Sequence, residues 1–397
     1  MTVKPRAVIV SAVRTPMGSF NGVFSAVPAT KLGSLAIAEA MKRAQVSGEC
    51  IDEVLMGCVI SAGLGQAPAR QASTGAGIPY SVGAVTVNKV CGSSLETVIM
   101  ADRAIRLGQA HVVVAGGMEN MTRAPYLLEK ARQGYRLGHA ELIDSLIRDG
   151  LWDVSNNFHM GDAGELCAGK YRVTREEVDD FALESYRRAR HAIAIGAFKP
   201  ETVPVEVPQK KGSPVTVTED EEPNRVDLNK MRQLKPAFQA NGVLTVGNSP
   251  SCNDGAAALV IMAEEEADRR GITPMAHVVG YAGAALAPEW FTIAPVEAIR
   301  RVLKHTGLAL EDIDLFEINE AFSAVSLAIN RELGLDPKKI NVNGGAVALG
   351  HPIGATGARI LTTLLHAMEA RDAGRGLASL CIGGGEAVAV VVERTRK

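Results

Sequence analysis

One order of elements occurs twice in this chain, and it constrains the fold more than any single motif does. The apolar run AVIVSAVRTP (7–16) is followed by the amphipathic KLGSLAIAEAMKRA (31–44) and then by the apolar IDEVLMGCVI (51–60). In the last third, AHVVGYAGA (276–284), PVEAIRRVLKHTG (295–307) and IDLFEINEAF (313–322) repeat that pattern, at a spacing of roughly 260 residues. AVTVN (84–88), the helix pattern CGSSLETVIMADRAIRLGQA (91–110) and HVVVAGG (111–117) are answered by NVNGG (341–345), GATGARILTTLLHAMEARDAG (354–374) and LASLCIGGGEAVAVVVE (377–393). Short strand, long helix, short strand is the crossover unit of a parallel sheet. HVVVAGG reads as a strand ending in a glycine turn. An α/β fold is expected, built from two βαβ-rich halves that pack their equivalent faces together. With 40 glycines and only 4% aromatic residues, its interior must be Ala, Val, Ile and Leu packed closely through small side chains.

Residues 121–250 have a different character. SNNFHMGDAGELCAGKY (155–171) precedes TREEVDDFALESYRRARHAIAIG (174–196), whose T-x-x-E start signals a capping box ahead of an apolar-periodic helix. The proline-rich, charged KPETVPVEVPQKKGSPVTVTEDEEPNRVD (199–227) reads as a surface excursion. We expect an N-terminal half of 1–120 plus 251–271, an inserted loop domain at 121–250 that covers substrate, and a C-terminal half of 272–397.

The 42 basic residues against 44 acidic ones give a net charge of −2, which argues against a nucleic-acid or membrane surface. Six cysteines without a C-x-x-C pair argue against a disulfide scaffold or a zinc knuckle and favour a reducing compartment. No leader is read in MTVKPRAVIVSAVRTP and no peroxisomal tripeptide in ERTRK. No uncharged apolar run reaches about 18 residues, so a cytoplasmic location is expected. No metal cluster, P-loop or dinucleotide fingerprint is read.

Four places can carry chemistry. In VNKVCGSSLE, Cys91 stands between a strand and the first turn of a helix, where free N–H groups and the positive dipole end favour a thiolate. It is either a small buried hydrophobe or a nucleophile. In GHPIGATG, His351 stands among glycines that let a ligand approach the backbone. A structural imidazole, a base for a cysteine and a donor to an oxyanion all fit there. SLCIGGGEA puts Cys381 at the end of a buried strand, before glycine amides suited to an oxyanion. In EINEAFSAV, Asn319 and Glu320 follow a strand and open a helix, where Asn319 would ordinarily be the cap. These places fall at the carboxyl ends of strands, where open α/β sheets gather ligands.

NKVCGSS, GGMENM, NEAF, GHPIGATGARI and CIGGG resemble the five signature stretches of the thiolases, in the same order and across essentially the whole chain. HMG at 159–161 resembles the acetoacetyl-CoA type. The resemblance implies two similar halves stacked as five layers αβαβα, a loop domain inserted in the first, and a homodimer or homotetramer. It implies reversible Claisen condensation of two acetyl-CoA to acetoacetyl-CoA plus CoA, through an acyl-cysteine with ping-pong kinetics. The substrates would be coenzyme A thioesters, with no separate cofactor and no metal. Cys91 would be the nucleophile, His351 would raise its thiolate population, and Cys381 would act as acid and base at the α-carbon. His351, with a water held by Asn319, would face the enolate oxygen. The N–H groups of Cys91 and Gly383 would face the acyl-enzyme carbonyl, each such donor typically being worth about 3 kcal/mol. Coenzyme A would touch Leu151, His159, Met160, Leu234, Ala237 and Phe238, with Ala321 and Phe322 near the pantetheine.

The chain departs from the family pattern near these residues. Ser94 replaces a common glycine beside the nucleophile turn, and Asn120 replaces a serine. Pro250 stands where a serine usually bonds the pantetheine, leaving Ser249 or Ser251 to replace it. Glu386 and Ala387 stand where Met or Gln and Gly are usual, and a buried carboxylate there would raise the pKa of Cys381. The rival readings are a 3-ketoacyl-CoA thiolase for longer or functionalised chains, and a non-catalytic acyl-CoA-binding subunit on the same fold.

Overall fold

The computed structural model describes residues 6–395, and the readings made on residues 1–5 and 396–397 lie outside them. Alternation of side chains sets its layers. In β1 (Ala7–Arg14), Val8 and Val10 face one core while Ile9 and Ala12 face another, so both faces of the strand are covered. The first half continues with α1 (Ala29–Arg43), β2 (Glu53–Gly57), α2 (Pro68–Gly75), β3 (Gly83–Val87), α3 (Ser93–Arg106) and β4 (Val112–Asn120). The inserted region carries α4 (Met160–Tyr171) and α5 (Arg175–Ala194), after which β5 (Asn253–Ala263) returns to the sheet. The second half comprises β6 (Ala276–Ala285), α6 (Ala294–Thr306), β7 (Leu315–Ile318), α7 (Ser323–Leu333), α8 (Thr356–Ala370), β8 (Arg375–Ile382) and β9 (Glu386–Arg394).

The strands hydrogen-bond in the order β7-β8-β9-β6-β1-β5-β4-β2-β3. Outward from the middle, β6-β9-β8-β7 repeats β1-β5-β4-β2, so the duplicated pattern in the sequence is a duplicated sheet topology. The two sheets meet at the pairs Val8–His277 and Ile9–Ala276. The pairings β2–β3, β2–β4 and β7–β8 are parallel, as crossovers require. In contrast, β1–β5, β4–β5, β6–β9 and β8–β9 are antiparallel, so each sheet is mixed rather than parallel.

Two expectations need correction. NVNGG, read as the counterpart of β3, is not a strand; an isolated parallel bridge from Phe316 to Ile340 marks the place a fifth strand would take. HVVVAGG does not end in a turn either, because β4 runs on to Asn120 with Gly116 and Gly117 buried inside it. A Cβ on Gly117 would collide with Ser94 and with the backbone of Gly354. Glycine is needed there for close packing rather than for a bend.

Between the sheets α3 and α8 lie side by side, with Leu95, Val98 and Ile99 packed among Ile360, Leu361 and Leu364. Being central, α8 is buried nearly all round. On the outer side of the first sheet, Leu32, Ile37 and Ala72 of α1 and α2 pack on Val54 and Val114. On the outer side of the second, Ile299, Val302 and Val325 of α6 and α7 pack on Leu377 and Val391. The five layers are therefore αβαβα.

α5 opens with the expected capping box: Glu177 N–H donates to Thr174 Oγ1, and Thr174 N–H to Glu177 Oε2. The fully buried Arg14 of β1 fastens the inserted region to the first half. Its guanidinium donates to Glu201 at 2.5 Å and to both carboxylate oxygens of Asp220 at 2.6 and 2.8 Å. α4 packs against α7, placing Met160, Ala163 and Cys167 in the outer core of the second half. Among the described residues no helix is long and apolar enough to cross a membrane.

Candidate active site

Cys91 lies in a tight turn two residues ahead of α3. Val90 N–H donates to Asn88 Oδ1 (3.0 Å), Lys89 N–H to Ser93 Oγ (2.9 Å), and the Ser93 hydroxyl to the Val90 carbonyl (2.6 Å). These bonds hold Val90 at φ +47°, a left-handed conformation that costs a β-branched residue on the order of 1–3 kcal/mol. The backbone N–H groups of Cys91 itself and of Gly383 approach the sulfur. Gly383 begins the turn between β8 and β9, where Gly384 takes φ +93°, a value suited to glycine. Burial outweighs both donors and pushes the Cys91 thiol up to about 11. That direction is opposite to the one expected of a thiol at a helix N-terminus.

His351 is buried in the loop ahead of α8. Its Nδ1 lies 2.7 Å from Thr356 Oγ1, and that hydroxyl donates to the Pro352 carbonyl at 2.8 Å. Thr356 therefore accepts from Nδ1–H, which leaves a lone pair on Nε2. Burial first, then the nearby Arg359 charge, push the His351 pKa down to about 3, so the imidazole is neutral.

Cys381 is the penultimate residue of β8 and is almost wholly buried. Burial, and next the proximity of Cys91, push its thiol well above the ordinary range. Glu386 is not the cause: its carboxylate meets Lys89 Nζ at 2.5 Å, with the two side chains 43% and 31% exposed. Asn319 does not cap a helix, since α7 begins at Ser323 after Phe322. Its N–H donates to Ser379 of β8 (2.9 Å), which sets it beside the strand that carries Cys381. Its side-chain Oδ1 and Nδ2 are buried without a hydrogen-bond partner. Glu320 is spent on structure, accepting from Ser185 Oγ (2.8 Å), Asn341 Nδ2 (2.9 Å) and Val347 N–H (3.0 Å).

A cavity of about 540 Å³ opens over these groups. Cys91, His351 and Gly383 line it, as do Leu151, His159, Met160, Leu234, Phe238, Ala321 and Phe322. Cys381 and Asn319 are not on its wall, and neither is Ala237, whose side is exposed. His159 caps α4 by accepting from Gly161 N–H at 3.0 Å. Its ring stacks on Phe238 at 5.2 Å, and Phe238 meets Phe322 edge-on at 5.8 Å. Pro250 is flanked by two serines of different standing: Ser251 Oγ donates to Asn253 Oδ1 (3.0 Å), whereas Ser249 Oγ, also on the wall, is buried and unbonded. The departure at Asn120 is structural, its Nδ2 donating to the Phe24 (2.9 Å) and Val27 (2.8 Å) carbonyls.

Sequence reading passed over several residues that shape this site. Thr356 sets the tautomer of His351, and Val90 is the strained element of the Cys91 turn. Asn253 and Glu119 hold the His351 segment, accepting from His351 N–H and Gly354 N–H. Thr356 and Glu119 lie within the quoted motifs GATG and GGMENM, so their place was signalled although their task was not.

Residues 7–265 match the family model described as "Thiolase, N-terminal domain", and residues 272–394 that described as "Thiolase, C-terminal domain". An acetyl-CoA acetyltransferase of Escherichia coli is 52% identical over 389 residues, covering 98% of each chain. One from Pseudomonas aeruginosa is 50% identical over 388 residues, covering 98% of this chain and 99% of that protein. The crystal structure of the Bacillus anthracis acetyl-CoA acetyltransferase superposes with a TM-score of 0.97 at 41% identity, over the whole of both chains. That of an Ascaris suum thiolase in complex with coenzyme A gives a TM-score of 0.94 at 44% identity, over 98% of this chain and 100% of that one.

Proposed function

This chain belongs to the thiolase family and is an acyltransferase; we propose that it catalyses the reversible condensation of two acetyl-CoA to acetoacetyl-CoA and free coenzyme A, through an acetyl group carried on Cys91. Cys91 sulfur attacks the first thioester while its proton passes to Nε2 of His351. The N–H groups of Cys91 and Gly383 receive the oxyanion. Coenzyme A leaves as a thiol by taking the proton of Cys381. The Cys381 thiolate, made more basic by burial, then removes the α-proton of the second acetyl-CoA. His351 Nε2–H and a water on the unbonded Asn319 side chain hold the enolate oxygen. Attack of the α-carbon on the acetyl-Cys91 carbonyl forms acetoacetyl-CoA, and the released Cys91 thiolate recovers its proton from His351.

The observation that supports this reading is the convergence of Cys91, Gly383 and a neutral His351 with a free Nε2 on one largely apolar cavity. Coenzyme A lies along Leu151, His159, Met160, Leu234 and Phe238, with its pantetheine between Ala321, Phe322 and the free hydroxyl of Ser249. A second copy of the chain pairs along β3, an edge strand with Val85 40% exposed and the neighbouring Tyr80 85% exposed, giving a homodimer or a pair of them. Six free thiols, two of which must stay reduced for turnover, suit a cytoplasmic setting.

Thiolysis of acetoacetyl-CoA by coenzyme A is the test. Turnover is expected in the wild type and lost in Cys91→Ala. Equal or faster thiolysis of longer 3-ketoacyl-CoA would overturn the short-chain assignment, and unchanged activity in Cys91→Ala would leave only a binding protein.

A further inference from the structure

The reacting pair is divided between the two halves of the molecule, which sets a problem of registration. Cys91 precedes α3 of the first half and His351 precedes α8 of the second, while the two sheets meet at only a short seam. Three backbone N–H groups of the His351 segment cross that divide. His351 N–H donates to Asn253 Oδ1, Gly354 N–H to Glu119 Oε2 and Ala358 N–H to Ser94 Oγ, each at 2.9 Å.

The three acceptors belong to β5, β4 and α3 of the first half, and all are fully buried. Each is itself anchored or adjoins the nucleophile. Asn253 Nδ2 donates to the Gly18 carbonyl (3.0 Å), and Glu119 also accepts from Val59 N–H (3.0 Å) and Ile60 N–H (3.2 Å). Ser94 lies on the first turn of α3, three residues after Cys91. Ala358 is the third residue of α8, whose N-cap position is Ala355, a side chain with no oxygen. Ser94 therefore caps α8 from the other half, satisfying an N–H that the helix cannot satisfy itself.

We propose that Asn253, Glu119 and Ser94 are positioning residues that fasten the His351 segment to the first half and hold His351 in register with Cys91. None of the three side chains needs to touch substrate, and none lines the cavity. Their effect is on the separation and direction of the two groups that exchange a proton, to which rates are steeply sensitive. The inference rests on the reading of Cys91 and His351 as the reacting pair.

The test compares Ser94→Ala, Glu119→Gln and Glu119→Ala with the wild type in acetoacetyl-CoA thiolysis, together with amide hydrogen exchange at Gly354 and Ala358. Ser94→Ala is expected to lower kcat about tenfold with KM for coenzyme A held within about twofold, and to speed exchange at Ala358. Glu119→Ala is expected to lose more, and Glu119→Gln, which keeps an oxygen for Val59 and Gly354, to recover most of it. A purely structural role would lower the unfolding temperature and leave kcat of the folded enzyme unmoved. A kcat within twofold of wild type in both Ser94→Ala and Glu119→Ala overturns the proposal. Ser94→Gly carries the same test if either alanine variant fails to fold. Wild type without thiolysis, but with exchange at Ala358 accelerated in Ser94→Ala, would remove the proposed chemistry and leave the fastening in place.

Discussion

The resting protonation state of the site is open to direct measurement through the rate at which iodoacetamide alkylates Cys91 as pH rises. Burial holds the Cys91 thiol at about 11 and His351 at about 3. Between those values both groups are neutral, and only the small thiolate fraction reacts. The rate should therefore climb about tenfold per pH unit, or about 1,000-fold from pH 7 to pH 10, without a plateau. A free cysteine titrates near 8.5, about 2.5 units lower, so at pH 7 Cys91 should react about 300-fold more slowly than the free amino acid. The gap of 11 minus 3 between the two groups also sets the cost of moving the proton from Cys91 to His351 in the empty cavity. It is on the order of 10 kcal/mol before the new charges attract each other. In the mechanism proposed above, a bound thioester offsets this by placing its developing oxyanion on the N–H groups of Cys91 and Gly383. The assay is timed quenching with mass-spectrometric quantitation of the Cys91 peptide, with His351→Asn as a control that should keep the same slope. A rate flat from pH 6 to 9, at or above that of free cysteine, would mean a preformed thiolate–imidazolium pair and would refute this account.

Three further outcomes follow from the packing and charge around the site. A Cβ on Gly161 would run into the Phe238 ring; Gly161→Ala should raise KM for coenzyme A several-fold and cost about 1–3 kcal/mol of stability, and steady-state kinetics with an unchanged KM would remove Phe238 from the coenzyme's path. The Lys89–Glu386 bridge is half-exposed, so Glu386→Ala should change unfolding free energy by less than about 1 kcal/mol and leave the pH profile of thiolysis in place; a shifted profile would restore a direct link between Glu386 and Cys381. Asp220→Ala leaves the buried Arg14 half-paired, and denaturant unfolding should show a loss of about 3–5 kcal/mol, with a loss under about 1 kcal/mol contradicting the fastening role of that pair.

Periodicity and order carried much of this in the sequence. The apolar runs of β1 and β6 and the amphipathic stretches of α1 and α6 are local patterns, and their repetition in one order announced the sheet topology. The antiparallel return in the first half was not legible, because β5 is separated from its neighbour β4 by the whole inserted region and pairing across such a distance leaves no local trace. Gly116 and Gly117 misled for a physical reason: a glycine that admits a neighbour at close range and one that permits a turn are the same letter. At the site, Cys91, His351 and Gly383 could be found because small flanking residues advertise room for a ligand. Their protonation could not, because it is decided by burial, a property of the assembled layers that overrides the helix-terminus argument at Cys91. Glu386 shows the converse: its carboxylate was correctly noticed near the glycine turn, but its partner Lys89 lies in the other half of the molecule.

The repeated topology bears on how such a site can come about. Cys91 and His351 stand in loops that occupy matching places, one leading into α3 and the other into α8, and α3 and α8 are themselves the matched helices at the centre. Two identical halves meeting about that centre would offer two identical loops, hence a pair of thiols or a pair of imidazoles, and neither pair divides the labour of nucleophile and base. With the two halves encoded one after the other in a single chain, the loops can mutate independently, so duplication lets symmetry in the scaffold coexist with asymmetry in the side chains that meet at its centre.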